Sequence, residues 1–166
     1  MAEYARNLRN GTLTISDGSA TPKTLVVPLD SGTLSWDETP APAAPVYDRE
    51  SIVQVTRGKE VLHNVSFDCG FSALTGITGS TTPTVRDVLK KLGVALALGW
   101  TGVDNASGSA YCVNLIFALT APETGGTGET ITFGKFFEGG VSGKEGDDYN
   151  KLSIKGQCVT IAGVRA

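Results

Sequence analysis

The sequence predicts a mainly β, single-domain fold with one helix, and three observations carry that expectation. Glycine is abundant, at 21 of 166 residues, and the glycines fall between short apolar runs, a pattern that implies many turns. Several runs alternate with a period of two, most strictly Tyr111, Val113, Leu115, Phe117 and Leu119. Only the stretch around 84–92 carries a clean helical stripe. A chain of this size buries roughly 70% of its unfolded surface on folding, so a core forms without covalent staples.

Taken in order, residues 1–10 read as a flexible N-terminal arm. Thr12–Ser16 alternates as a strand, and Asp17-Gly18-Ser19 is turn chemistry. Thr24–Leu29 is a second strand whose Pro28 places it at a sheet edge. Asp30-Ser31-Gly32 turns the chain into Thr33–Trp36, with Leu34 and Trp36 on one face. Asp37 and Glu38 then lead into Pro40, Pro42 and Pro45. Prolines at that density forbid a helix or a central strand, so 37–46 reads as a projecting loop.

A long hairpin follows. Tyr47–Thr56 and Val61–Phe71 are its two runs, and Arg57-Gly58-Lys59-Glu60 is its turn. Val61, His63, Val65, Phe67, Cys69 and Phe71 share one parity of the second run. Residues 74–82 form a small, polar connector. Thr84 is an N-cap with Asp87 three residues on, and Val85, Val88, Leu89 and Leu92 make one apolar stripe. Lys90 and Lys91 suit the helix C-terminus, and Gly93 suits its stop. Val94–Trp100 reads equally as strand or buried helix. Loops at 101–108, 123–128 and 139–149 separate strands at 111–119, 130–133 and 151–161. The tally is about eight strands and one helix, with no internal repeat.

The net charge of −3 and the absence of a basic face argue against a protein that holds nucleic acid by its phosphates. Cys69, Cys112 and Cys158 lie far apart in apolar runs, an odd set that reads as small core hydrophobes in a reducing compartment. No apolar signal core opens the chain, and Val94–Trp100 is too short to span a bilayer.

Chemistry is sparse. His63 is the only histidine, so any Ser-His-Asp or Cys-His arrangement would have to use it. It has no neighbouring ligand set for a metal. Gly125-Gly126-Thr127-Gly128 lacks the Lys-Ser/Thr ending and following helix of a phosphate loop. The acidic pairs Asp37-Glu38 and Asp147-Asp148 sit in polar loops and read as solvated. Asp48 and Glu50 share one strand parity with Ile52, an acidic row facing water or a like-charged object. The expectation is a non-enzymatic protein with no catalytic, cofactor or metal site.

The order of elements resembles a known family. Its carriers are Asn10–Thr14, Tyr47-Asp48-Arg49, Gly58, Val65-Ser66-Phe67, the helix from Thr84 to Leu89, Trp100, the strand at Tyr111, Glu129–Phe133 and Leu152–Cys158. In that order, over nearly the whole chain, they resemble the tail tube (major tail) proteins of long-tailed bacteriophages. The resemblance implies a two-sheet β-sandwich or half-barrel flanked by one helix. It implies homohexameric rings stacked into a tube, with tape measure, tail terminator and distal tail proteins as partners. DNA would pass through the lumen without specific binding, and no membrane is involved. The implied location is the virion tail, assembled in the host cytoplasm. An acidic lumen suits a sliding polyanion.

The candidate site residues follow from that resemblance. Asp48, Glu50 and Glu60 are candidate lumen or inter-subunit charges. Asp37, Glu38, Pro40, Pro42 and Pro45 form a candidate inter-subunit loop. Gly139, Gly140, Asp147 and Asp148 form a candidate inter-ring loop. Two alternatives remain: a β-sandwich carbohydrate-binding or virion-decoration module, and the tube protein of a contractile tail or secretion-like system.

Overall fold

The computed structural model describes residues 11–30, 33–71, 73–74, 76–77, 79–104, 106–119, 128–145 and 150–165. The predicted arm at 1–10, most of the loop at 123–128, and Asp147 and Asp148 lie outside the described residues. The strands are β1 (Gly11–Ser16), β2 (Thr24–Val26), β3 (Ser35–Asp37), β4 (Ala43–Asp48), β5 (Ser51–Arg57) and β6 (His63–Gly70). Two short helices follow, α1 (Val85–Lys90) and α2 (Gly93–Ala97). Then come β7 (Val113–Leu119), β8 (Glu129–Lys144), β9 (Lys151–Cys158) and β10 (Thr160–Arg165). Every strand pairing is antiparallel.

The 16-residue β8 is the spine. Its first half lies between β7 and β10, and its second half pairs with β9. One layer therefore runs β2-β1-β7-β8-β10 and the other β8-β9-β6-β3, with β8 passing through both. Where it crosses, the register shifts between Glu138 and Gly140, so Gly139 is a bulge residue that bends the strand. Leu13, Ile15, Leu115, Phe117 and Phe133 from one layer meet Val65, Phe67, Leu152 and Ile154 from the other, all buried in one cluster. Trp36 on β3 packs its ring against Phe133 on β8, centroids 5.6 Å apart, tying one layer to the other. Gly156 on β9 makes room for the buried Phe136 ring: a Cβ there would stand 2.4 Å from it.

The helical corner is built as its sequence indicates. The Thr84 hydroxyl accepts from Asp87 N at 3.2 Å, and Asp87 Oδ2 accepts from Thr84 N at 3.3 Å. Asp87 Oδ2 also accepts from Gly76 N at 2.7 Å, which clamps the connector to the helix. Val88 and Leu89 face the core, and the Tyr111 hydroxyl donates to Val88 O at 2.9 Å. Lys91, in the left-handed region at φ 51°, ends α1. The ambiguous stretch 94–100 resolves mainly into α2, with Val94 and Ala95 buried, so the corner has two helices where one was expected.

The predicted hairpin is corrected. The run 47–56 does not pair with 61–71. The hairpin is β4 with β5, and its turn is Arg49-Glu50. Both turn residues take positive φ, 45° and 75°, the geometry that two-residue hairpins need. Gly58 lies instead at the base of this hairpin: its N–H donates to Pro42 O at 2.7 Å, and a Cβ there would meet that oxygen at 2.5 Å. β6 pairs with β3 and β9 in the sandwich. The predicted loop at 139–149 is also corrected, since Gly139 and Gly140 lie within β8, which runs on to Lys144. The predicted strand 151–161 divides at Val159 into β9 and β10.

Candidate assembly surface

The β4–β5 hairpin stands apart from the sandwich as a sheet of its own. Every residue of both strands is exposed. Its register puts Pro45 opposite Val55 and Tyr47 opposite Ile52, while Val46 faces Gln54 and Asp48 faces Ser51. A register shift between Val46 and Tyr47 leaves Val53 as the bulged residue. One face of the arm is thus apolar, made by Pro45, Tyr47, Ile52, Val53 and Val55; Tyr47 is 62% exposed and Val55 61%. The other face is mixed, with Ala44, Val46 and Asp48 opposite Thr56, Gln54 and Ser51. A lone two-stranded hairpin is marginal in water, and an apolar face left on one marks an interaction surface.

The base of the arm is anchored. Thr39 N donates to His63 Nδ1 at 3.0 Å, so the single histidine accepts a backbone hydrogen bond beside the sandwich. Asp37 ends β3, and Glu38, Pro40, Pro42 and Glu60 lie exposed around the root. Pro45 lies within β4 itself, so the predicted proline loop is partly one strand of the arm. Asp48 and Glu50 do not form a row on a strand face: Asp48 closes β4 and Glu50 sits in the turn, with Arg49 between them. The structure therefore gathers Asp48 and Glu50 at the tip and leaves Glu60 at the root. Gly139 and Gly140 lie away from the arm, at the β8 bulge.

Strand edges add to this surface. Among the described residues, β2 pairs only with β1, β3 only with β6, and β10 only with β8, so each offers a row of backbone groups.

Sequence reasoning missed two features. The first is the apolar arm face; its signal is Ile52-Val53-Gln54-Val55, whose consecutive apolar pair breaks simple alternation. The second is the burial of Asp17: its place in the β1–β2 turn is legible in the sequence, but not its buried carboxylate or its reach to Thr101. Asp17 accepts from Ser19 N at 3.2 Å, Ser19 Oγ at 2.7 Å, Lys23 N at 2.8 Å and Thr101 N at 3.2 Å. Burial pushes its carboxyl up, but these hydrogen bonds outweigh burial and hold the pKa below its ordinary value.

Among the described residues no group of three or more His, Cys, Asp or Glu is arranged to hold a metal. Burial pushes the Cys69 and Cys158 thiols up to about 11, so both stay protonated at neutral pH. Phe67, Phe117, Phe133, Phe136 and Trp100 are in the core, so they offer no aromatic platform for sugar. No described helix is long and apolar enough to cross a membrane.

No family model matches the chain, and no curated protein matches it in sequence. Solved structures do share its fold. The chain is similar to one from the PVC sheath/tube terminator, part of an extracellular contractile injection system in the extended state, with TM-score 0.62, 12% identity and 99% of each chain covered. It is similar to a chain of the PVC sheath–tube complex, with TM-score 0.61, 12% identity, 99% of this chain and 94% of that one covered. A chain of the sixfold-symmetrised baseplate of the anti-feeding prophage gives TM-score 0.53 at 9% identity, covering 99% and 97%. At this identity the likeness is one of fold, and it extends over essentially the whole chain.

Proposed function

We propose that this chain is a structural subunit of a tail-type tube, assembling with copies of itself into stacked rings. The observation that carries the reading is the β4–β5 arm, a projecting hairpin whose apolar face its own sandwich leaves uncovered. The whole-length fold likeness to tube and terminator assemblies supports it. In this reading the rings are hexameric, and the unpaired edges of the sandwich join neighbours around each ring. A heterologous contact that closes leaves no edge free. The particle is a virion tail, the lumen conducts DNA during ejection, and tape measure and terminator proteins set its length and ends. The net charge of −3 suits passage of a polyanion without adhesion.

A second reading, the tube or terminator of a contractile injection system, is favoured by the origin of the fold neighbours, which come from such systems. Electron microscopy of the purified chain tests the common part. Rings or tubes with sixfold symmetry are expected; a uniform monomer at high concentration, even with tail-initiating partners, overturns it. Adding candidate sheath protein separates the readings, since only a contractile tube becomes sheathed.

A further inference from the structure

We propose that the apolar face of the β4–β5 arm docks on the helical corner of a second copy of this chain, the surface made by Leu74, Ile77, Leu92 and Leu96. The proposal rests on the self-assembly reading above and names the receiving surface for the arm.

The corner is a built apolar patch. Gly76 is clamped between the two helices: its N–H donates to Asp87 Oδ2 at 2.7 Å, and a Cβ on it would stand 2.7 Å from Val94 Cγ2. Leu74 and Ile77 flank that clamp, and the Arg86 guanidinium donates to Leu74 O at 3.4 Å. Leu92 caps α2 and Leu96 follows one turn on, its N–H donating to Leu92 O at 3.2 Å. Val94 and Ala95 between them are buried, so Leu92 and Leu96 are left on the outer side. Ile77 is 83% exposed and Leu96 57%. Arm and corner are both exposed in the isolated chain, so neither covers the other within one copy.

Their charges are complementary. The arm tip carries Asp48, Arg49 and Glu50, two carboxylates against one guanidinium. The corner carries Arg86, Lys90 and Lys91. Lys90 is paired with Glu138 at 3.4 Å, which offsets one of the three cations, and Lys91 lies 5.7 Å from the Tyr111 ring centroid, so the corner's positive surface is carried chiefly by Arg86 and Lys91. Asp87, the acidic residue of that helix, is fully buried and adds no competing surface charge. Elsewhere the exposed apolar residues are Val26 on β2, Val164 on β10, and Val61, Leu62 and Val159 beside the paired ends of β6 and β9; these last three are only 37%, 40% and 38% exposed, and β10 ends in Arg165. A patch that meets a different patch is heterologous: each copy gives one arm and receives one, which closes a ring or extends a stack.

The test uses the full chain with a photo-crosslinking benzoylphenylalanine placed at Tyr47 and, separately, at Ile52. Labelled variant is mixed with isotopically distinct copies, irradiated, and mapped by mass spectrometry. Crosslinks between copies, from the arm to residues 74–96, are expected at both positions. Inter-copy crosslinks that land on β2 or β10 instead overturn the docking corner. If the unmodified chain forms rings but neither probe crosslinks to 74–96, the corner falls and the tube reading stands. If the chain forms neither rings nor crosslinks, both fall. As a second readout, Ile77→Asp and Leu96→Asp are expected to raise the concentration needed for assembly at least tenfold, and Val164→Asp is not. The reverse pattern contradicts the proposal.

Discussion

Two pairs of strands in this molecule look alike in composition and behave oppositely. β7 pairs with β8 inside the sandwich, and Val113, Leu115, Phe117 and Leu119 are buried on one face. β4 pairs with β5 outside it, and Tyr47, Ile52, Val53 and Val55 are all exposed. Both pairs are rich in β-branched and aromatic residues. The difference lies in what covers them. β7 is covered by its own chain, whereas no described element covers the arm's apolar face, and hydrophobic surface of that kind is stabilised only by burial. Stability belongs to the sandwich, and in the proposed tube assembly belongs to the arm.

Substitutions can break this contrast. The largest effect is expected at the core: Phe67→Ala removes a fully buried ring and costs about 3–5 kcal/mol of stability, read by denaturant unfolding. Tyr47→Ala on the arm is expected to change stability of the free chain by no more than ~0.5 kcal/mol, while weakening assembly. Equal losses from the two changes would erase the distinction.

Asp17→Ala is next, at about 2–3 kcal/mol, because it leaves the Lys23 and Thr101 amides without their acceptor. Its pH sign follows from the lowered carboxyl. The folded state holds this group ionised more firmly than the unfolded chain does, so its contribution is present above the ordinary value of 3.8. It is lost as pH falls through the lower folded value. Asp17→Asn is expected to flatten that part of the acid-unfolding curve, and an unchanged curve would remove Asp17 from the account.

Thr84→Ala is smaller, about 1 kcal/mol, through loss of the cap on α1. Reversal of both Asp48 and Glu50 to Lys is expected to shift the stability of the free chain least, by no more than ~0.5 kcal/mol. In the phage reading, tubes form and DNA ejection is impaired; unchanged infectivity would take both residues out of the lumen.

The two-layer core was legible because its strands are buried on one side. The parity of Val65, Phe67 and Cys69, and of Val113, Leu115 and Phe117, survives as burial in β6 and β7. The capping box at Thr84 and Asp87 was legible because its two hydrogen bonds are local. The arm was misread because its turn uses Arg49 and Glu50 in the left-handed region, where a glycine or asparagine is the usual signal. Gly58 drew attention to a turn that is really a close backbone approach to Pro42. Gly139 and Gly140 suggested a loop, yet pairing with β9 carries the strand through them as a bulge. In the two glycine cases a pairing with a segment distant in sequence overrode a local preference. The corner patch is hidden for another reason: Leu92 completes the sequence stripe of α1, yet the chain leaves that helix at Lys91, in the left-handed region, before reaching it.

Hydrogen exchange of the arm amides, free against assembled, tests the central claim most directly. In the free chain, amides of β4 and β5 are expected to exchange quickly while those of β7 stay protected, as local opening free energies allow. In the assembled tube the arm amides slow at least a hundredfold and the β7 amides barely change. An arm as protected as β7 in the free chain, or one that stays unprotected in the tube, would contradict the division between a self-sufficient sandwich and an arm completed by its neighbour.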